Sequence, residues 1–92
     1  MKELKEGCLL YNKGSERFCF AIGNKWLYDG WFYNGYHCGD AIEVKIDGEW
    51  IKTRFEMDIN KEWYLVGTGY KGKAIEGVSA REDVDLTCLK PI

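Results

Sequence analysis

Residues 39–67 have the sequence GDAIEVKIDGEWIKTRFEMDINKEWYLVG, which predicts three successive antiparallel strands joined by two turns. The first turn falls at Asp47 and Gly48, because an Asp-Gly pair supplies the positive φ angles of a two-residue hairpin loop. A β-branched side chain resists such angles, so Gly48→Val is expected to be the most harmful substitution for its size. This stretch predicts an all-β protein.

The register of the first hairpin follows from its two-residue loop. Lys45 lies opposite Trp50 and Val44 lies opposite Ile51, and directly opposed residues share a face of the sheet. One face then collects the apolar side chains that predict a core: Ile42, Val44, Ile46, Ile51, Phe55 and Met57. The other face collects aromatic and charged side chains and predicts an outer surface: Glu43, Lys45, Trp50, Lys52, Arg54 and Glu56.

A third strand follows the polar connection at residues 58–62. Residues 63–66 (WYLV) are apolar on both faces. If Tyr64 and Val66 join the core, Trp63 and Leu65 fall on the outer face with Trp50. A sheet that is apolar on one side and aromatic-basic on the other is expected to curl into a small barrel.

The rest of the chain predicts further short strands. They fall at residues 7–11, 17–22, 25–28 and 74–81. Residues 82–85 are expected to form a turn or a single 3₁₀ turn, and residues 86–89 a last strand or an apolar strap. Eleven glycines and a single proline favour tight turns over long helices. A chain of 92 residues predicts one domain over residues 1–92.

Residues 24–38 (NKWLYDGWFYNGYHC) are unusually rich in aromatic side chains. Asp29-Gly30 and Asn34-Gly35 are competing turn signals too close together for both to close long hairpins. We therefore expect a long aromatic loop that folds back on itself. Its rings either close one end of the barrel or serve as exposed anchors for a partner, since Trp and Tyr are typical of interface hot spots.

Charge and cysteine content narrow the classes of function. The formal net charge of −2 disfavours a general polyanion binder. The four cysteines are widely spread without a Cys-x-x-Cys pair, and the charged beginning of the chain does not resemble a signal peptide. These features predict reduced thiols and a cytoplasmic protein without membrane contact.

Motifs for catalysis or cofactor binding are weak. His37-Cys38 does not match a common zinc spacing, and Gly67, Gly69 and Gly72 fit G-x-G-x-x-G without the helix that a dinucleotide site needs. The single histidine has no recognisable nucleophile partner. The sequence therefore predicts no catalytic residue, no metal and no cofactor.

The central stretch and the segment IEGVSAR resemble the family called domain of unknown function 5348. These small, uncharacterised domains occur in Gram-positive bacteria and their mobile elements. The matching positions are Gly39, Asp40, Ile42, Glu43, Val44, Trp50, Arg54, Glu56, Trp63, Tyr64, Leu65, Gly77 and Arg81. The resemblance implies an SH3-like barrel, here of five to six antiparallel strands, and it implies no established activity.

The predicted function is a non-enzymatic module that binds another protein or a peptide. The residues predicted to contact the partner are Trp31, Tyr33, Tyr36, Lys45, Trp50, Arg54 and Trp63. Cations beside indole rings can equally cement the sheet, so a purely structural role for this face stays open. The alternatives are single-stranded nucleic-acid binding through Lys45, Trp50, Arg54 and Trp63, and an inhibitor or adaptor carried by a mobile element.

Overall fold

The computed structural model describes residues 2–28 and 35–92. These residues form eight strands and two short 3₁₀ turns, the latter at Gly72–Ile75 and Leu86–Cys88. The strands are β1 (Glu3–Asn12), β2 (Arg17–Ile22), β3 (Lys25–Leu27), β4 (Ala41–Ile46), β5 (Glu49–Met57), β6 (Trp63–Leu65), β7 (Ser79–Val84) and β8 (Leu89–Pro91). The all-β prediction is confirmed. None of the helical segments in the described ranges is long and apolar enough to cross a membrane.

The strands form one antiparallel sheet in the order β6-β5-β4-β7-β1-β2-β3-β8. The order ends on two different strands, β6 and β8, so the sheet is not closed into a barrel. The expected count of five to six strands is wrong, and the SH3-like barrel is not confirmed.

The turn and the register of the central hairpin are confirmed, whereas its predicted core face is only partly buried. β4 and β5 pair with Lys45 opposite Trp50 and Val44 opposite Ile51, as the two-residue loop requires. Asp47 and Gly48 have φ angles of 52° and 81°, both in the left-handed region. Ile42, Val44 and Phe55 are buried, whereas Met57, placed in the core by its sequence pattern, is exposed at the end of β5.

The sheet curls so that its inner face encloses one core. β2 and β5 are four positions apart in the strand order, which corresponds to about 19 Å in a flat sheet. The ring centroids of Phe18 on β2 and Phe55 on β5 are nevertheless only 6.2 Å apart. The buried cluster therefore draws on almost every strand: Leu9, Phe18, Phe20, Leu27, Tyr36, Ile42, Val44, Phe55, Trp63, Leu65, Ile75, Ala80 and Val84.

The predicted faces of the third strand are wrong. Met57 lies opposite Trp63 and Phe55 lies opposite Leu65, so Trp63 and Leu65 point into the core while Tyr64 is half-buried. The connection closes as a five-residue turn in which the backbone N–H of Lys61 donates to the carbonyl of Asp58 at 2.9 Å. Lys61 takes a φ of 62° there, and this odd loop length inverts the expected faces.

The C-terminal part also differs from the prediction. Residues 74–81 contain the end of the first 3₁₀ turn and the start of β7, and Glu82 to Val84 continue β7 where a turn was expected. β7 pairs with the charged beginning of β1, where Lys5 lies opposite Glu82 and Glu6 lies opposite Arg81. Opposite charges on facing strands stabilise the pairing of β1 with β7, which the apolar pattern of either segment alone does not predict.

Candidate functional site

The outer side of β4, β5 and β7 carries the predicted aromatic-basic surface. We call it the Trp50 face and define it by Glu43, Lys45, Trp50, Arg54 and Arg81. The Lys45 Nζ atom lies 5.7 Å from the centroid of the Trp50 ring, and the guanidinium carbon of Arg81 lies 4.5 Å from it. The Arg81 Nη2 atom donates to Glu43 Oε2 at 2.7 Å, which holds the guanidinium in place.

These contacts give Trp50 a role within the sheet. The half-buried ring links three strands through two cations, each worth about 0.5–1 kcal/mol at an exposed site. Arg54 lies on the same face, but its Nε atom donates to Glu56 Oε2 at 2.9 Å. Much of the Trp50 face is therefore engaged in contacts of its own.

Of the other predicted partner-binding residues, the two that the structure describes, Tyr36 and Trp63, do not extend that face. Trp31 and Tyr33 lie outside the described residues. Tyr36 is buried and stacks on Phe55 with ring centroids 4.6 Å apart. Trp63 is 7% exposed and belongs to the inner side of the sheet. Trp50 and Trp63 are thus on opposite faces, so Lys45, Trp50, Arg54 and Trp63 do not form one platform.

Aromatic rings instead line a groove where the β1–β2 turn approaches β6 and the first 3₁₀ turn. We call it the Trp63 groove; it has a volume of about 600 Å³. Its aromatic floor consists of Tyr11, Phe18 and Trp63, and its charged rim consists of Lys13, Lys61, Glu62, Lys73 and Glu76. Tyr11 is 38% exposed, whereas Phe18 is 4% exposed, so Tyr11 is the accessible ring.

The aromatic floor is held in position by long-range contacts. The Trp63 Nε1–H donates to the carbonyl of Glu16 in the β1–β2 turn at 2.9 Å. Arg17 lies over the Trp63 ring at 5.7 Å, and the rings of Tyr11 and Phe18 are 5.1 Å apart. The floor is therefore assembled before any ligand arrives, which lowers the entropic cost of binding.

The turn that leads into β6 beside the groove is also held in place. The Asp58 carboxylate accepts backbone N–H bonds from Asn60 at 2.8 Å and Glu62 at 3.0 Å, and it forms an ion pair with Lys71. The hydrogen bond to Lys71 is the main cause that lowers the pKa of Asp58. Lys71 thereby ties the turn before β6 to the segment before Gly72.

Sequence reasoning missed the groove residues Tyr11, Lys13 and Lys73. Tyr11 ends a predicted strand, Lys13 lies in the following turn, and Lys73 lies in a glycine-rich loop. They meet because the backbone N–H of Tyr11 donates to Glu76, a contact between segments far apart in the chain. No local signal predicts that contact.

The cysteines are free thiols in different environments. Cys19 is buried and Cys38 is exposed, and burial raises the pKa of the Cys19 thiol to about 11. Within residues 2–28 and 35–92, no group of three or more His, Cys, Asp or Glu side chains is arranged to hold a metal ion.

Tyr36, which is buried, and Glu82, which is half-buried, form a polar contact inside the fold. The Tyr36 hydroxyl donates to Glu82 Oε1 at 2.8 Å. Burial raises the pKa of the Glu82 carboxyl above its ordinary value, although the hydrogen bond from Tyr36 opposes the shift. Burial also raises the pKa of Tyr36, so this hydroxyl stays protonated at neutral pH.

Glu82→Gln is expected to change how stability depends on pH. The folded state raises the pKa of Glu82. The contribution of this carboxyl to the free energy of unfolding is therefore full below its unfolded pKa of about 4.3 and is lost as pH rises through its pKa in the folded state. Glutamine can still accept from Tyr36 without carrying a charge. Urea unfolding from acid to neutral pH should show the variant gaining stability relative to the wild type as pH rises. A difference that is flat with pH, or of opposite sign, would contradict this.

Together these elements define a class of protein: a small all-β domain with a curled antiparallel sheet and an aromatic groove beside β6. The model of the family described as domain of unknown function (DUF5348) matches residues 7–82. The chain belongs to this family, which confirms the resemblance seen in its sequence.

A solved structure shares this fold. It is the crystal structure of a protein from Ruminococcus gnavus, a target of the Northeast Structural Genomics Consortium. The two chains are 31% identical, with a TM-score of 0.64, and the match covers 85% of this chain and 100% of the other. No curated protein matches this chain.

Proposed function

We propose that this protein is a non-enzymatic interaction module that binds an extended segment of another protein in the Trp63 groove. The observation that carries the proposal is the groove itself, about 600 Å³ in volume, with aromatic rings as its floor and charged side chains at its rim. An apolar centre with a polar rim is the usual anatomy of a protein interface. Tyr11 is its most accessible anchor.

The carboxylates of the groove have structural roles, which supports binding over catalysis. Glu76 accepts the backbone N–H of Tyr11, and Glu62 Oε1 lies 3.6 Å from the Lys71 amino group. A general acid or base would need an unengaged group facing a substrate position. As part of the same proposal we place the module in the cytoplasm, where an exposed thiol such as Cys38 is kept reduced.

We do not propose single-stranded nucleic-acid binding, because Trp50 and Trp63 lie on opposite faces of the sheet and cannot stack bases on one surface. An inhibitor or adaptor carried by a mobile element is a special case of the proposed module. It differs only in the identity of the partner.

The proposal is tested by selecting a phage-displayed peptide library on the immobilised protein and measuring the affinity of enriched peptides. Tyr11→Ala removes the accessible ring and is expected to weaken binding about tenfold or more. Trp50→Ala is the matched aromatic control on the other face, and it should change affinity less than about twofold even though it lowers stability.

Three results would overturn the proposal. They are a library without enrichment, enriched peptides that bind Tyr11→Ala as well as wild type, and peptides that depend on Trp50 instead. Thermal unfolding of both variants distinguishes a lost contact from a lost fold.

A further inference from the structure

The rim of the Trp63 groove carries an excess of unengaged positive charge. Lys13, Lys61 and Lys73 are exposed, and none of their amino groups takes part in an ion pair within the described part of the chain. The two carboxylates of the rim, by contrast, are occupied by the Tyr11 N–H and by the Lys71 amino group. The protein as a whole has a net charge of −2, so this cluster of cations is local.

The two nearly buried rings of the aromatic floor, Phe18 and Trp63, offer apolar contact only. The single polar atom of the Trp63 side chain already donates to the Glu16 carbonyl, and Phe18 has none. Phe18 and Trp63 are nearly buried, while Tyr11 lies at the surface with its ring 5.1 Å from that of Phe18. A ligand group that packs against Phe18 and Trp63 must be apolar or aromatic, because a polar group there would lose its water without gaining a partner.

We propose that the occupant of the Trp63 groove is an acidic peptide segment. An apolar or aromatic side chain of this segment contacts Tyr11, and neighbouring carboxylates pair with Lys13, Lys61 and Lys73. This inference rests on the proposed function and adds the chemistry of the partner to it. Charge complementarity of this kind raises association rates and excludes basic partners.

An acidic peptide fits the rim better than a nucleic-acid strand, which is also anionic. A nucleic-acid backbone carries a negative charge at every nucleotide, so it would also meet the carboxylates of Glu62 and Glu76. Side chains of an extended peptide alternate between two sides and recur on one side every ~6.6 Å. Acidic residues can therefore face the lysines while uncharged residues face Glu62 and Glu76.

The test uses defined fluorescent probes rather than an unknown partner. The first probe is a short peptide with one phenylalanine flanked on both sides by alternating glutamates. Three matched peptides replace the glutamates by glutamine, the glutamates by lysine, or the phenylalanine by glycine. A labelled oligothymidylate of similar length serves as the nucleic-acid probe. Binding is measured by fluorescence anisotropy on the full chain.

Two variants with the same net charge distinguish the effect of the rim lysines from the effect of the protein's overall charge. One combines Lys13→Gln, Lys61→Gln and Lys73→Gln at the rim. The control combines Lys2→Gln, Lys25→Gln and Lys90→Gln, all exposed and away from the groove. Circular dichroism and thermal unfolding should show that both variants fold, since every substituted side chain is exposed.

We expect the acidic peptide to bind more tightly than the glutamine and lysine peptides, and its phenylalanine to be required. The rim variant should weaken this binding about tenfold, given that three exposed ion pairs are lost, whereas the control should change it less than about twofold. Affinity should also fall as salt is raised, because exposed charge pairs are screened.

The outcomes separate this inference from the proposed function. Equal binding of the acidic and glutamine peptides, or a rim variant no weaker than its control, overturns the acidic partner only. Tighter binding of the oligothymidylate than of every peptide overturns it in favour of nucleic acid. The acidic peptide could fail to bind while neutral or basic library peptides bind in a way that depends on Tyr11. This result also overturns only the acidic character of the partner. Failure of both the acidic probe and the library selection overturns the two proposals together.

Discussion

Phe55→Ala is expected to lower the free energy of unfolding by about 3–5 kcal/mol, the range for an aromatic ring removed from a well-packed core. Phe55 is fully buried and contacts aromatic rings from three other parts of the chain. Tyr36 stacks on it at 4.6 Å, Phe18 lies at 6.2 Å, and Trp63 packs edge-on at 6.1 Å between ring centroids. Removing this ring leaves a cavity at the centre of the curled sheet.

Two other substitutions provide reference values for the loss of unfolding free energy in Phe55→Ala. Met57→Ala, two residues further along β5 but exposed, should cost less than about 1 kcal/mol, since surface changes are small. Phe55→Leu should fall between the two, because it keeps part of the buried volume. Urea unfolding monitored by tryptophan fluorescence gives the three values. If Phe55→Ala and Met57→Ala cost the same, the sheet does not curl around Phe55.

The central hairpin could be predicted because all its determinants are local. The Asp-Gly turn sets the register, and a register error of one residue would have mixed the apolar and charged sets. The third strand could not be predicted as securely, because its faces depend on whether the preceding loop has an odd or even length. The observed connection has five residues, with Lys61 in a left-handed conformation, and this odd length sets Trp63 opposite Met57.

The pairing of β1 with β7 shows a different limit. Both strands carry charged residues that look like a frayed end and a turn when each is considered alone. They pair as strands in a ladder that sets opposite charges against each other at two positions, Lys5 facing Glu82 and Glu6 facing Arg81. Tyr36 is likewise buried by a contact with Glu82, 46 residues away in the chain. Such partners are visible only in three dimensions.

The candidate site is the least predictable feature, because three separate parts of the chain build it: the β1–β2 hairpin, the segment leading into β6, and the first 3₁₀ turn. Sequence reasoning selected Trp63 but placed it on the wrong face and gave it Arg54 as a neighbour instead of Arg17. It selected Trp50 and Lys45 correctly as a pair, but Arg81 comes from β7 and could not be foreseen. The Trp63 groove exists because the sheet curls, which is a property of the whole core.

Gly7→Ala is expected to lower the free energy of unfolding by about 3 kcal/mol or more, at or beyond the upper end of the usual cost of overpacking. A Cβ atom at Gly7 would lie 2.1 Å from the carbonyl oxygen of Ala21 and 2.9 Å from Cζ of the buried Phe20 ring. The oxygen belongs to β2, which is held between β1 and β3, so it cannot move without distorting two ladders. The expected cost comes from collision, since Gly7 is not among the glycines with positive φ.

Comparison with two other glycines isolates this cause. A Cβ at Gly14, in the β1–β2 turn, would meet only the Asn12 side chain at 3.3 Å, so Gly14→Ala should cost less than about 1 kcal/mol. Gly48 has a φ of 81° with no atom within 4 Å of a Cβ, so a side chain there meets backbone strain of about 1–2 kcal/mol but no clash. Of these three glycines, Gly7 is therefore expected to be the most sensitive to substitution by alanine, ahead of Gly48 in the hairpin turn. Equal stability of Gly7→Ala and Gly14→Ala in urea would show that β1 and β2 do not approach this closely.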